Sequence, residues 1–186
     1  MKRPRVVALS LGAIVLAAVL AALGFVACGP VHRPDGGVGL VSTKSRAPDF
    51  SAQDQDGKVH TLAEMRGRPV VLFFYPRDGT PGCTKEACAF RDAWSSLSGA
   101  GAQVIGVSTD DVASHAAFAK EHALPFPLLA DPDGQILKSY GVGSTFGMAS
   151  RVTFVIDRDG FVARVFPDVD PAVHATEVVA VLKSLP

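Results

Sequence analysis

The chain has 186 residues, with 18 basic and 18 acidic side chains and a formal net charge of zero. That balance, with no basic block, excludes the electrostatic footprint of a nucleic-acid binder. No internal repeat is visible, so a repeat architecture is excluded as well.

Lys2, Arg3 and Arg5 precede an uncharged apolar run over residues 6–27. At about 1.5 Å per residue the run is long enough for a bilayer's hydrocarbon core. A basic start before such a run reads as an export signal that keeps the basic end cytoplasmic. The expectation is therefore an exported protein, tethered to a membrane on its outer side, with residues 1–28 as signal or anchor. Residues 29–44 are rich in Gly, Pro, Ser and charge, have no hydrophobic period, and read as a flexible linker. The remaining 45–186 suit one domain with one core.

Within that domain, apolar runs at 70–75, 104–107, 152–156 and 161–166 read as strands, with a short buried strand near 128–130. Helical stretches are expected at 84–97, 112–122, 136–140 and 172–185. Asp157-Arg158-Asp159-Gly160 separates two strand patterns as a hairpin turn. Strands alternating with helices, closing on a hairpin and a helix, define an α/β fold with a central mixed sheet flanked by helices. His115 and His122, seven apart on one helix, lack two-histidine metal spacing and read as a solvated polar face. His60 and His174 have no partner in view. Tyr75, Phe90 and Trp94 read as core packing.

The most informative stretch is Pro76-Arg77-Asp78-Gly79-Thr80-Pro81-Gly82-Cys83-Thr84-Lys85-Glu86-Ala87-Cys88. It joins the run 70–75 to a helix. Thr80 fits the N-cap and Pro81 the first helical position, where its missing N–H removes nothing. Cys83 then falls in the first turn, where unpaired N–H groups and the helix dipole favour a thiolate. Cys83 and Cys88 have neither Cys-x-x-Cys nor zinc-finger spacing. On an intact helix their Cα atoms lie roughly 8–9 Å apart, whereas a disulfide needs about 4.4–6.8 Å. Any bond between them requires the first one or two turns to unwind.

Pro76, Thr80 and Cys83, spaced Pro-x-x-x-Thr-x-x-Cys, resemble the peroxidatic motif of peroxiredoxins. The longer stretch from Phe74 through Cys88 to Phe90-Arg91-Asp92 resembles their bacterioferritin comigratory protein or peroxiredoxin Q subgroup. Ala47-Pro48-Asp49-Phe50, Asp54-Gln55-Asp56-Gly57, Leu129-Ala130-Asp131-Pro132 and Arg151-Val152-Thr153-Phe154 match in register. The resemblance implies a thioredoxin-like fold and a peroxidase acting on hydrogen peroxide or organic hydroperoxides without a metal or organic cofactor. It implies Cys83 as peroxidatic nucleophile and Cys88 as resolving cysteine. Thr80 and Arg151 would polarise the peroxide and hold the thiolate, and Pro76 would shield the pocket. It further implies an atypical two-cysteine cycle that one monomer can complete, with an intramolecular disulfide reduced by a thioredoxin-like dithiol.

Phe25-Val26-Ala27-Cys28-Gly29 resembles a bacterial lipobox, making Cys28 a lipidation candidate, with an uncleaved anchor as the rival. Two other functions compete with the peroxidase. One is a membrane-tethered thiol–disulfide oxidoreductase, which the missing Cys-x-x-Cys disfavours. The other is a copper-binding or redox-sensing module of thioredoxin fold, whose cysteine spacing differs by one residue.

Overall fold

A computed structural model of the protein describes residues 30–186. The run 6–27 and Cys28 lie outside the described residues, and with them the signal, anchor and lipidation expectations. The described part is the compact unit Val31–Pro186.

Its centre is a five-stranded sheet of β3 (Val70–Phe74), β4 (Gln103–Ser108), β5 (Leu128–Ala130), β8 (Val152–Ile156) and β9 (Val162–Phe166), in the order β5-β4-β3-β8-β9. β3 pairs parallel with β4 and β4 with β5, while β8 runs antiparallel to both β3 and β9. This is the mixed sheet of a thioredoxin-like fold. Of two short hairpins, β1 (Ser51–Gln53) with β2 (Val59–Thr61) closes over Asp54–Gly57, the stretch that resembles the family's first hairpin turn, while β6 (Ser144–Thr145) with β7 (Met148–Ala149) was not anticipated. Two- and three-residue strands carry too little alternation to register as a pattern.

β3 explains its own uninterrupted apolar sequence. Successive side chains of a strand point to opposite faces, and both faces of this sheet are covered. Val70, Leu72 and Phe74 join one core cluster with Tyr140 and Phe154. Val71, Phe73 and Tyr75 join the other with Cys83, Phe90 and Phe126. A central strand buried on both sides has no solvent face to leave polar.

The helices are α1 (Pro81–Asp92), α2 (Trp94–Gly99), α3 (Val112–His122), α4 (Gln135–Tyr140) and α5 (His174–Ser184). The single helix expected over 84–97 is two. The chain breaks at Ala93, which leaves helical geometry at φ −85°, ψ 3°, and α2 restarts with Trp94 packed near Phe126. The helix starts at Pro81 with Thr80 as N-cap, as the loop sequence suggested. α3 has Asp111 as N-cap, its carboxylate accepting from the Ser114 N–H, and ends at Ala123 in the left-handed region. Asp131 does the equivalent work for α4, accepting from the N–H groups of Gln135 and Leu137.

His115 corrects a reading made from spacing. Expected on a solvated face, it is fully buried, because it shares the inward stripe of α3 with Phe118 and Ala119. The i, i+3, i+4 relation of those three residues outweighs the seven-residue relation to His122.

The segment read as a flexible linker also differs from Val31 onward. Val41 is buried in the first core cluster. The Val41 and Lys44 N–H groups donate to the Tyr140 and Val162 carbonyls. Gly141, at φ +70°, lies so close that an added Cβ would meet the Gly39 carbonyl oxygen at 1.8 Å. Composition announced a tether, but two backbone hydrogen bonds and one buried valine make it a strap.

Candidate functional site

Three elements meet at Cys83. β3 ends at Phe74, the loop 75–80 turns over the sheet, and α1 begins at Pro81. Cys83 is therefore in the first turn, buried at 1 % exposure. Thr80 has the extended backbone of an N-cap, and its carbonyl accepts from the Thr84 N–H at 2.9 Å. Its hydroxyl makes no capping bond and donates instead to the Arg77 carbonyl at 3.1 Å. Pro76 is half-buried where the loop leaves β3.

Arg151, the residue before β8, reaches across from the neighbouring strand. Its Nη2 donates to the Cys83 Sγ at 3.3 Å, and its Nη1 donates to Glu86 Oε2. Gly82 makes room for this approach, since a Cβ there would lie 3.2 Å from Arg151 Nη2. The resemblance assigned Arg151 to the Cys83 thiolate, and the fold brings the two side chains into contact. Cys88 lies half-buried on the same unbroken helix, and both thiols are free.

Glu86 was missed. It is 1 % exposed, and its Oε1 has no partner. Burial pushes its carboxyl up to about 7, with the Arg151 charge and hydrogen bond acting in the opposite direction. Burial acts to lower the Arg151 pKa, but Glu86 and the Cys83 sulfur outweigh it and hold the guanidinium above its ordinary value. The sequence carried a signal: Cys83, Glu86, Ala87 and Phe90 fall at the i, i+3, i+4, i+7 positions of one helix face. An acid on an otherwise apolar stripe needs a partner.

A second polar group ties down the loop. Asp78 accepts from the Tyr75 hydroxyl at 2.7 Å, the Ser114 hydroxyl at 2.7 Å and His115 Nδ1 at 2.8 Å. Its own N–H donates to Asp110 Oδ2 at 2.9 Å. Burial alone would raise the Asp78 carboxyl, but the interactions with His115, Tyr75 and Ser114 hold it below its ordinary value. His60 and His174, expected without partners, have them. His60 Nε2 is 2.6 Å from Asp54 Oδ2, and His174 Nε2 is 2.8 Å from Thr153 Oγ1. The His174 ring also packs edge-on against Phe90 and Phe166.

A cysteine at the start of a helix, beyond the central strand of a thioredoxin-like sheet and bonded to an arginine from the next strand, defines a thiol enzyme of that fold. The comparisons with known proteins place it further. The AhpC/TSA family matches residues 43–165, and the chain belongs to that family of thiol peroxidases. It is 47 % identical over 150 residues to the chloroplastic peroxiredoxin Q of Oryza sativa subsp. japonica, covering 79 % of this chain and 69 % of that one. A peroxiredoxin bcp of Coxiella burnetii is 42 % identical over 146 residues, covering 75 % and 97 %. Among solved structures, peroxidoxin BcpB from Mycobacterium tuberculosis superposes with TM-score 0.74 and 38 % identity, covering 78 % of this chain and 99 % of that one. Xanthomonas campestris peroxiredoxin Q superposes with TM-score 0.69 and 33 % identity, covering 73 % and 90 %. This assignment does not favour the thiol–disulfide oxidoreductase and copper-module readings.

The expected localisation is corrected by the same comparisons. The relatives include proteins named chloroplastic peroxiredoxin Q and a bacterial bcp, names that give no support to membrane tethering. Among the described residues no helix is long and apolar enough to cross a membrane. The apolar run that suggested export is a statement about composition alone.

Proposed function

We propose that the chain reduces hydrogen peroxide and organic hydroperoxides through Cys83 and Cys88. The Cys83 thiolate attacks the terminal oxygen of the hydroperoxide. The O–O bond breaks, the sulfur becomes a sulfenic acid, and the leaving oxygen departs as water or alcohol after taking a proton. Charge moves from sulfur to the leaving oxygen during this step. Arg151 is placed to hold the thiolate first and the developing oxyanion next. Thr80 supplies a hydroxyl to the peroxide, and Pro76 shields the sulfur from bulk water.

Cys88 then attacks the Cys83 sulfur, forming the disulfide and releasing the sulfenic oxygen as water. Both cysteines sit on one regular helix, so at least the first turn of α1 must unwind between the two steps. Because both sulfurs belong to one chain, a single copy completes the cycle. A thioredoxin-like dithiol then returns the disulfide to two thiols and is itself oxidised.

The observation that carries this reading is the Arg151 to Cys83 contact at 3.3 Å in the first turn of α1. The test is stopped-flow peroxide consumption by the reduced protein beside Cys83→Ser and Cys88→Ser, with mass spectrometry of the products. Loss of reaction in Cys83→Ser and a trapped sulfenic acid in Cys88→Ser are the expected results. Slow, equal reaction in all three proteins would refute the mechanism.

A further inference from the structure

We propose that Asp78 is a positioning residue for this cycle: its clamped carboxylate fixes the loop that presents Thr80 and Cys83, favouring the folded helix that meets peroxide over the unwound one that forms the disulfide. This rests on the two-cysteine reading above.

Asp78 stands five residues before Cys83 in a loop with little apolar contact of its own. Arg77 and Gly79 are exposed, and Pro76 and Thr80 are only half-buried. The Asp78 side chain is 7 % exposed and faces three donors from two elements. Tyr75, the first loop residue after β3, is 1 % exposed, and His115, on α3, is fully buried. Ser114 stands beside His115 at the start of α3. The Asp78 backbone is held in turn by Asp110, which accepts from the Ser108 hydroxyl at 2.7 Å. None of these groups bonds to Cys83, so the chemistry of the sulfur does not account for them.

The place of the clamp accounts for it. Gly79, the next residue, has φ +68°, a conformation that glycine adopts without strain. Everything before this glycine is tied to β3, β4 and α3. Everything after it, through Pro81 and Gly82, must move when the helix unwinds. A fixed upstream end restricts the freedom of the unwound segment and so favours the folded turn. It also holds Cys83 in register with Arg151, and small losses of such register are expensive in rate.

The test separates the two steps in the full chain by rapid-quench mass spectrometry with hydrogen peroxide. The bimolecular rate of sulfenic-acid formation and the unimolecular rate of disulfide closure are read for wild type, Asp78→Asn and Tyr75→Phe. Asp78→Asn keeps the shape and loses the charge on which the hydrogen bonds converge. The expected result is a split, with sulfenic-acid formation slowed about fivefold or more and closure accelerated about threefold or more. Tyr75→Phe removes the hydroxyl that donates to Asp78 and lies 3.4 Å from His115 Nδ1, leaves the ring packed, and should give the same split, slower sulfenic-acid formation and faster closure, with smaller changes. It carries the test if Asp78→Asn does not fold. Asp54→Asn is the control, because its buried carboxylate is likewise hydrogen-bonded, to His60 and to the N–H groups of Asp56 and Lys58, but in the β1–β2 hairpin. A control with a similar Tm loss and unchanged rates supports positioning. Rates that move together, or equally in the Asp54 and Asp78 variants, overturn it. A wild type with no peroxide-dependent phase would overturn the underlying mechanism instead.

Discussion

The two ends of α1 are held in different ways. The last turn is held by burial: Phe90 is fully buried, its ring 4.9 Å from Phe73 and 5.4 Å from His174. Arg91 adds a hydrogen bond from Nη1 to the His122 carbonyl at 2.8 Å. The first turn has Pro81 exposed and Gly82 half-buried, no side-chain cap, and Cys83 as its buried side chain, with one arginine on the sulfur. Apolar burial is non-directional and resists any displacement, whereas a few polar contacts can be exchanged for water at small net loss. A helix that must stay docked and yet open at one end is well served by this asymmetry.

The largest effect should come from attacking the strong end. Phe90→Ala leaves a cavity against Phe73 and His174 and should lower stability by about 3–5 kcal/mol, seen as a large drop in Tm. A loss under about 1 kcal/mol would show that burial is not what anchors the helix.

Glu86 sharpens the comparison by pH. Its folded carboxyl stands at about 7 against an ordinary value of 4.5, so between those values the folded state holds a proton that the unfolded state has released. Stability from this group is therefore fully present below about 4.5 and declines as pH rises toward about 7. The difference in Tm between wild type and Glu86→Gln, followed from pH 4 to 8, should shift steadily against the wild type across that window. A flat difference would mean that burial does not govern this carboxyl.

Smaller effects belong to the weak end. Gly79→Ala meets no neighbour but must adopt φ +68°, which costs about 1 kcal/mol and should lower Tm by a few degrees. Thr80→Val should change stability by less than about 0.5 kcal/mol, below the usual loss for a capping residue, because the hydroxyl does not cap. The peroxide rate should nonetheless fall, as the same hydroxyl is proposed to meet the substrate. A Tm loss typical of a lost cap would contradict the geometry.

Much of this was legible in the chain. The strand β3, the start of the helix and Cys83 are local: an apolar run, a Pro-Gly loop and a cysteine in fixed spacing. Arg151 was legible only through its resemblance to a family pattern, since 68 residues separate it from Cys83. Glu86 and Asp78 were not singled out, and His115 was misread as solvated. Each is a polar residue whose role depends on what the fold brings opposite it: Arg151 for the first, and Tyr75, Ser114 and one another for the other two. Ala93 was hidden for a different reason: alanine is the best helix former, so its identity does not announce the break in helical geometry there. The linker was misjudged because glycine and serine composition reports the freedom of an isolated chain. It does not report the surface that the chain finds.

That last point bears on how the protein is cut. A fragment starting at Ser45 would discard Val41, strip the Tyr140 and Val162 carbonyls of their donors, and open the wall of the first core cluster. The compact unit begins at Val31, so a fragment cut there keeps the strap and its contacts.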